Sequence, residues 1–246
     1  MILEIDAGNT RLKWRLIGLR EVIVERGVVD NNREFTAFFL NDKIFASVRG
    51  VLVSCVAGGA GLEVLCEAFK SRLGKERVFE AVSKAESGGI RFAYDDPARL
   101  GVDRVMAMVA GLKRCPEGVM VVDCGSAITV DLVSCSGEHL GGYILPGLRL
   151  LSASLLQGTS EIFIRETVQG SRELGKSTES CVSNGSYAML LASLEWFEVL
   201  AKGFGIDRYL LTGGDSVQIK EMGLLSYECV EDLVFEGLEA VSPFAI

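Results

Sequence analysis

Ile-Leu-Glu-Ile-Asp-Ala-Gly-Asn-Thr-Arg-Leu-Lys-Trp (residues 2–14) and Val-Met-Val-Val-Asp-Cys-Gly-Ser-Ala-Ile-Thr-Val-Asp (residues 119–131) follow one grammar. Each is an apolar strand, an Asp, a small residue, a Gly, a hydroxyl or amide residue, and then a second strand. An Asp at the end of a buried strand is costly unless its charge is used or paired, and a metal ion is one such use. The Gly two residues later removes a side chain, so backbone N–H groups can come close to a phosphate. The next polar residue adds a side-chain donor. One such turn is a weak signal, because Asp-Gly turns are common and most bind nothing. Two copies of the pattern, at long separation, indicate a duplicated α/β domain with a cleft between its halves. Two facing hairpins of this kind suit a triphosphate, whose transfer is mainly a matter of positioning and charge neutralisation.

Working outward from the first copy, residues 2–5 read as a buried strand. Residues 12–17 form a second, in which Leu12, Trp14 and Leu16 alternate with Lys13 and Arg15. A third strand is expected over 21–29 and a buried one over 51–56. After the Gly58-Gly59 turn, 62–73 reads as a helix. Residues 82–97 are polar and irregular, with at most a short strand near 90–93, and Val105, Met106, Met108, Val109 and Leu112 give a helix over 102–113. The second copy then repeats the order, with strands at 119–122, 128–133 and 140–145 and a helix over 148–156. Residues 157–177 read as loop, 178–202 as a long helix and 209–211 as a strand entering Gly213-Gly214-Asp215. Leu233, Val234, Leu238 and Val241 give a helical tail. The expected halves are 1–115, carrying the first turn, and 116–246, carrying the second.

Composition narrows the function classes. A formal charge of −8 over 246 residues argues against nucleic acid as a partner, since phosphate-backbone binding needs a basic face. No apolar run approaches the roughly 20 residues that span a bilayer. The start lacks a basic signal-peptide region, and Asp6 breaks its apolar run, so the expected location is cytoplasmic. The seven cysteines are scattered without a C-x-x-C pair, and His139 is the only histidine. Zinc sites and Ser-His-Asp or Cys-His hydrolases are therefore disfavoured.

Four motifs make the chain resemble the type III pantothenate kinases, the Bvg accessory factor family. They are Asp6-Ala7-Gly8-Asn9-Thr10 with Arg11, Leu12 and Lys13; Tyr94-Asp95-Asp96-Pro97-Ala98-Arg99-Leu100-Gly101-Val102-Asp103-Arg104; Asp123 to Asp131; and Gly141-Gly142-Tyr143-Ile144-Leu145-Pro146-Gly147. Thr178-Glu179 and Thr212-Gly213-Gly214-Asp215 extend the likeness over almost the whole chain. Ser126 stands where the family more often has Thr, which keeps the hydroxyl. The resemblance implies an actin-like, sugar-kinase fold and a homodimer. It also implies transfer of the ATP γ-phosphate to the primary hydroxyl of pantothenate, with Mg²⁺ and a monovalent cation, K⁺ or NH₄⁺.

The resemblance also implies residue roles, each beside a plainer alternative. Asp103 is the general base; an Asp there also suits the start of a helix. Arg104 binds acceptor or phosphoryl oxygens, or else pairs with Asp95 or Asp96. Tyr94, Gly101, Val102 and Thr178 line the acceptor site. Asp6 to Lys13 and Ser126 contact ATP, with Asp6 holding Mg²⁺ through water and Asp123 holding the monovalent ion. Lys13 as a solvent-facing strand residue, and both Asp residues as simple turn formers, are the alternatives. Gly213 and Gly214 lie near adenine or ribose, or form a strand-to-helix turn. An accessory protein without turnover, or a kinase for another alcohol such as a sugar, remain competing functions on the same fold.

Overall fold

The computed structural model describes residues 1–18, 22–30, 39, 43–56, 60–158, 170–224 and 226–243. In chain order the strands are β1 (Ile2–Ala7), β2 (Arg11–Ile17), β3 (Ile23–Asp30), β4 (Gly50–Cys55), β5 (Val78–Glu80), β6 (Glu86–Ser87), β7 (Ile90–Arg91), β8 (Gly118–Cys124), β9 (Ala127–Ser134), β10 (His139–Pro146), β11 (Tyr209–Thr212) and β12 (Tyr227–Cys229). The helices are α1 (Lys43–Ser47), α2 (Ala60–Leu73), α3 (Val102–Arg114), α4 (Leu148–Gly158), α5 (Thr178–Gly203), α6 (Ser216–Glu221) and α7 (Leu233–Val241). The expected Gly58-Gly59 turn and residues 159–169 of the expected loop lie outside the described residues.

The repeat seen in the sequence is a repeat of topology. One sheet runs β3-β2-β1-β4-β5 and the other β10-β9-β8-β11-β12. In each, the first three strands form an antiparallel meander, and the last two join parallel to the strand that carries the Asp. The short strands β5 and β12 and the short helices α1 and α6 escaped sequence analysis, because three to six residues carry too little periodicity to read.

The chain divides into two compact units, Met1–Lys113 with Asp232–Ile246, and Arg114–Glu231. This corrects the expected division at one point: the segment from Asp232 belongs with the first half. In the first unit Leu3, Ile5, Leu12, Trp14, Leu16, Val51 and Val53 pack with Leu62, Leu65 and Phe69 of α2. The other face of the same strands carries Glu4 and Arg15, and α7 covers it. Arg15 donates from Nε to Glu4, from Nη1 to Asp232 (2.9 Å) and from Nη2 to Glu239 (2.6 Å), and its guanidinium lies 4.7 Å from the Phe235 ring centre. Arg26 of β3 adds a bond to Asp232 at 2.8 Å. These ties fix the tail to the first sheet. Arg15 is therefore buried, on the face opposite Leu16. Close contact of α7 with α3 needs Gly237, since a Cβ there would lie 2.0 Å from the Met106 carbonyl oxygen.

In the second unit Met120, Val122, Ile128, Val130 and Leu211 pack against Leu190, Leu194 and Phe197 of α5. Helix α5 starts with a reciprocal cap between Ser177 and Ser180. His139 and Asp131 form a buried pair 3.0 Å apart across β10 and β9, next to a bulge between His139 and Gly141. The only histidine thus braces a hairpin.

Candidate functional site

In the first unit the signature turn is the β1–β2 hairpin. Gly8 N–H donates to the Arg11 carbonyl at 3.0 Å and closes it, with Asn9 and Thr10 at the exposed tip. Gly125 does the same in the second unit, donating to the Ala127 carbonyl at 3.1 Å. The glycine amides are thus committed within their hairpins, and an anion would meet the tip residues instead. Thr10 and Ser126 are both exposed there, Arg11 is exposed, and Ala7 and Leu12 are buried behind them.

Strand register places each Asp in a cross-sheet row. Asp6 is paired with Lys13 on β2 and with Ser54 on β4. Asp123 is paired with Thr129 on β9 and with Thr212 on β11. Residues so paired project to one face with Cβ atoms roughly 5 Å apart. Both halves therefore set a carboxylate beside a hydroxyl on the parallel neighbour. They differ on the hairpin side, where Asp6 has a cation and Asp123 a neutral Thr. Ser54 was missed in the sequence; its only signal is being the one polar residue in Val51–Val56. It is fully buried, and its hydroxyl has no partner among the described residues.

The two rows suit different ions. Among the described residues no three His, Cys, Asp or Glu side chains gather into a metal cage. Mg²⁺ in phosphoryl-transfer sites takes only one or two carboxylates and fills its shell with water and phosphate oxygens. Half-buried Asp6 beside Lys13 fits that pattern. The donors around Asp123 are all oxygen, a set that suits a hard cation. They are crowded: the Gly213 backbone approaches so closely that a Cβ there would lie 2.4 Å from Asp123 Oδ1 and 2.5 Å from the Cys124 carbonyl oxygen. Gly213 also has φ +91°, which L side chains rarely adopt. Asp215 N–H then donates to the Cys124 carbonyl at 3.0 Å. Gly213 thus serves as a strand-to-helix turn packed on the Asp123 strand, and a Cβ at Gly214 would meet nothing within 4 Å. Burial, with Asp123 and Asp215 nearby, pushes the Cys124 thiol well above its usual range, so it is no nucleophile.

The segment from Tyr94 to Arg104 also comes together in the first unit. Asp96 Oδ1 accepts from Ala98 N–H at 3.1 Å and starts the 3₁₀ turn Pro97–Arg99. Gly101 follows, and its carbonyl accepts the helical bond from Val105 N–H at 3.1 Å. Half-buried Asp103 lies in the first turn of α3, where Oδ1 accepts from Arg104 N–H at 2.7 Å. A Cβ on Gly101 would lie 2.6 Å from that same Oδ1 and 3.6 Å from Val56. Gly101 thus makes room for the carboxylate. Val56 in turn donates from its N–H to the Ala7 carbonyl at 3.1 Å, so this corner adjoins the β1 end that carries Asp6. Arg104 is 6% exposed; its Nη1 donates to Tyr94 Oη at 2.8 Å, and its guanidinium lies 5.6 Å from the Tyr94 ring centre. Tyr94 thus orients Arg104, a link that ten residues of separation concealed. Val102 is buried. Thr178 is exposed at the start of α5 in the second unit.

The sequence profile of the type III pantothenate kinase family matches residues 2–197. A type III pantothenate kinase of Marinobacter nauticus is 37% identical over 242 residues, covering 98% of both chains. One of Ectopseudomonas mendocina is 36% identical over the full length of both. Among solved structures, a candidate Baf-family transcriptional activator of Campylobacter jejuni superposes with TM-score 0.58 at 20% identity, over 97% of this chain and 96% of that one. A candidate 2-dehydro-3-deoxygalactonokinase of Sinorhizobium meliloti gives 0.59 at 12% identity, covering 98% of each. At such identities the structures speak for the fold alone, the duplicated actin-like, sugar-kinase fold that the family resemblance implies. The full-length matches, together with two hairpin Asp rows and a Tyr94–Arg104 segment built around Asp103, place this chain in the type III pantothenate kinase family.

Proposed function

We propose that the chain transfers the γ-phosphate of ATP to the primary hydroxyl of pantothenate, the first step toward coenzyme A, with Asp103 as general base. Family membership brings ATP and a divalent metal. The observation that carries the residue assignment is the place of the Asp103 carboxylate at the head of α3, in space that a side chain on Gly101 would fill. A primary alcohol needs somewhere for its proton to go as the new P–O bond forms, and a carboxylate held beside a glycine can be approached closely. Arg104, aimed by Tyr94, supplies fixed positive charge, and Thr178 is an acceptor-binding residue by its match to the family's motif. Asp6, Lys13 and the hairpin tip hold the phosphates and Mg²⁺. Ser126 contacts ATP, and Asp123 binds K⁺ or NH₄⁺, a choice supported by its neutral, all-oxygen row.

A coupled assay of ADP release over a panel of alcohols tests this. Pantothenate is expected to drive turnover and sugars are not. Replacing K⁺ and NH₄⁺ by Na⁺ is expected to remove most of the rate. A folded protein that ignores pantothenate in the presence of Mg²⁺, K⁺ and ATP would refute the acceptor, and an unchanged rate in Na⁺ would refute the role of Asp123.

The active form is a homodimer. Its support is an apolar face on the second unit, where Ile144 of edge strand β10 is 65% exposed and Trp196 and Val199 of α5 are 52% and 69% exposed. Tyr143, Trp196 and Phe197 stack there with ring centres 5.0–5.8 Å apart. Apolar side chains clustered in this way usually mark an interface. Light scattering is expected to give twice the chain mass for the wild type and a single chain mass for Ile144→Glu/Trp196→Glu. A dimer that survives both charges would move the interface elsewhere. The protein works in the cytoplasm, a reading supported by seven cysteines of which none forms a disulfide among the described residues. Among the described residues no helix is long and apolar enough to cross a membrane. Activity recovered chiefly in a membrane or periplasmic fraction would overturn the location.

A further inference from the structure

We infer that Arg99 is the cation that receives the carboxylate of the acceptor, in a cleft beside Gly101. This rests on pantothenate being the acceptor. The first unit contains a cleft of about 430 Å³ whose walls include Val56, Val82, Ser83, Arg99 and Gly101. Its sides are tied together, for Ser83 Oγ donates to the Leu100 carbonyl at 2.6 Å. The turn that carries Arg99 is fixed as well, by the Asp96 cap on Ala98 N–H and by Arg99 N–H donating to the Asp96 carbonyl at 3.1 Å. The Arg99 side chain is exposed, and among the described residues it makes no hydrogen bond or ion pair.

An unpaired arginine in a chain of net charge −8 is a place where an anion gains attraction without displacing a carboxylate. Arg104, the other arginine of this segment, is buried and engaged with Tyr94. The two therefore divide the work, Arg104 near the reacting end and Arg99 at the far end. Gly101 lines the cleft, and a Cβ on it would lie 2.6 Å from Asp103 Oδ1, so the cleft and the proposed base share the Gly101 corner. The planar fork of arginine matches a carboxylate through two parallel hydrogen bonds. Exposed Val82 offers an apolar wall to the methylenes between the amide and the carboxylate.

The test is steady-state kinetics with pantothenate and with its neutral N-methyl amide. Arg99→Ala is expected to raise the KM for pantothenate about 10- to 100-fold, the range of a lost charge-assisted pair. Its kcat and ATP KM should stay within about twofold of the wild type. The amide should be used equally well by both proteins, so the preference for the carboxylate collapses, and Arg99→Lys should restore part of it. An unchanged pantothenate KM in Arg99→Ala, or an equal loss for both acceptors, overturns the role of Arg99 while leaving the activity assigned. A wild type that does not turn over pantothenate at all overturns both.

Discussion

Asp103→Asn is expected to lower kcat with pantothenate by about 10²- to 10⁴-fold, the range for removing a positioned general base. The substitution is nearly isosteric, and the amide oxygen can still accept from Arg104 N–H at the head of α3. It therefore separates the two roles that an Asp at this position can have. A first-turn acid stabilises a helix by about 0.3–1 kcal/mol through the helix dipole, and its loss would be felt as a small drop in stability without loss of chemistry. A base would be felt in kcat alone, with the ATP KM and the thermal midpoint close to wild type. Single-turnover phosphorylation under saturating ATP, alongside a melting curve, decides. A kcat within threefold of wild type would leave Asp103 as a helix-starting residue only. A large loss that tracks a lowered melting midpoint would do the same.

The local parts of this site were legible because their physics is local. Asp6 and Asp123 declare themselves by ending apolar strands, and Gly101-Val102-Asp103 by preceding a helix with an apolar stripe. The repeated sheet was legible for the same reason, since each meander is continuous in sequence. What could not be read is what the fold brings from afar. Ser54 and Thr212 enter the two Asp rows only through parallel register with β1 and β8. The amides of Gly8 and Gly125, expected to face phosphate, are consumed in closing their own hairpins. Period-2 alternation sets Arg15 on the face opposite Leu12, Trp14 and Leu16, but it tells which face a side chain is on, and not what covers that face. Its cover comes from Asp232 and Glu239, more than 200 residues later, and the expected boundary failed at the tail for the same reason.

That buried cluster predicts the largest stability effect in the chain. Glu4 is fully buried, and its Oε1 has no hydrogen-bond partner among the described residues. Burial pushes its pKa up to about 7, against the pull of Arg15, whose single charge is divided among Glu4, Asp232 and Glu239. Arg15 itself is held above its ordinary value by those carboxylates, despite burial, and stays charged. Because the Glu4 pKa is raised on folding, the folded state holds a proton that the unfolded chain releases near pH 4.5. Stability is then lost as pH rises from there through about 7, by roughly 3 kcal/mol in all. Glu4→Gln should flatten that slope while keeping the other Arg15 bonds. Arg15→Met keeps the volume but leaves Glu4 buried without a cation and frees α7 from the sheet. The expected cost is about 3–5 kcal/mol, the range for breaking one side of a buried pair. It should be greater at pH 8 than at pH 6, because without the guanidinium the Glu4 carboxyl is still harder to ionise. Urea midpoints by circular dichroism at the two pH values measure this, with an expected fall of about 1–2 M at pH 8. An Arg15→Met protein that unfolds at the wild-type midpoint, or whose loss is the same at both pH values, would show that packing of Phe235 and its neighbours, and not the shared arginine, fastens the C-terminal helix to the first sheet.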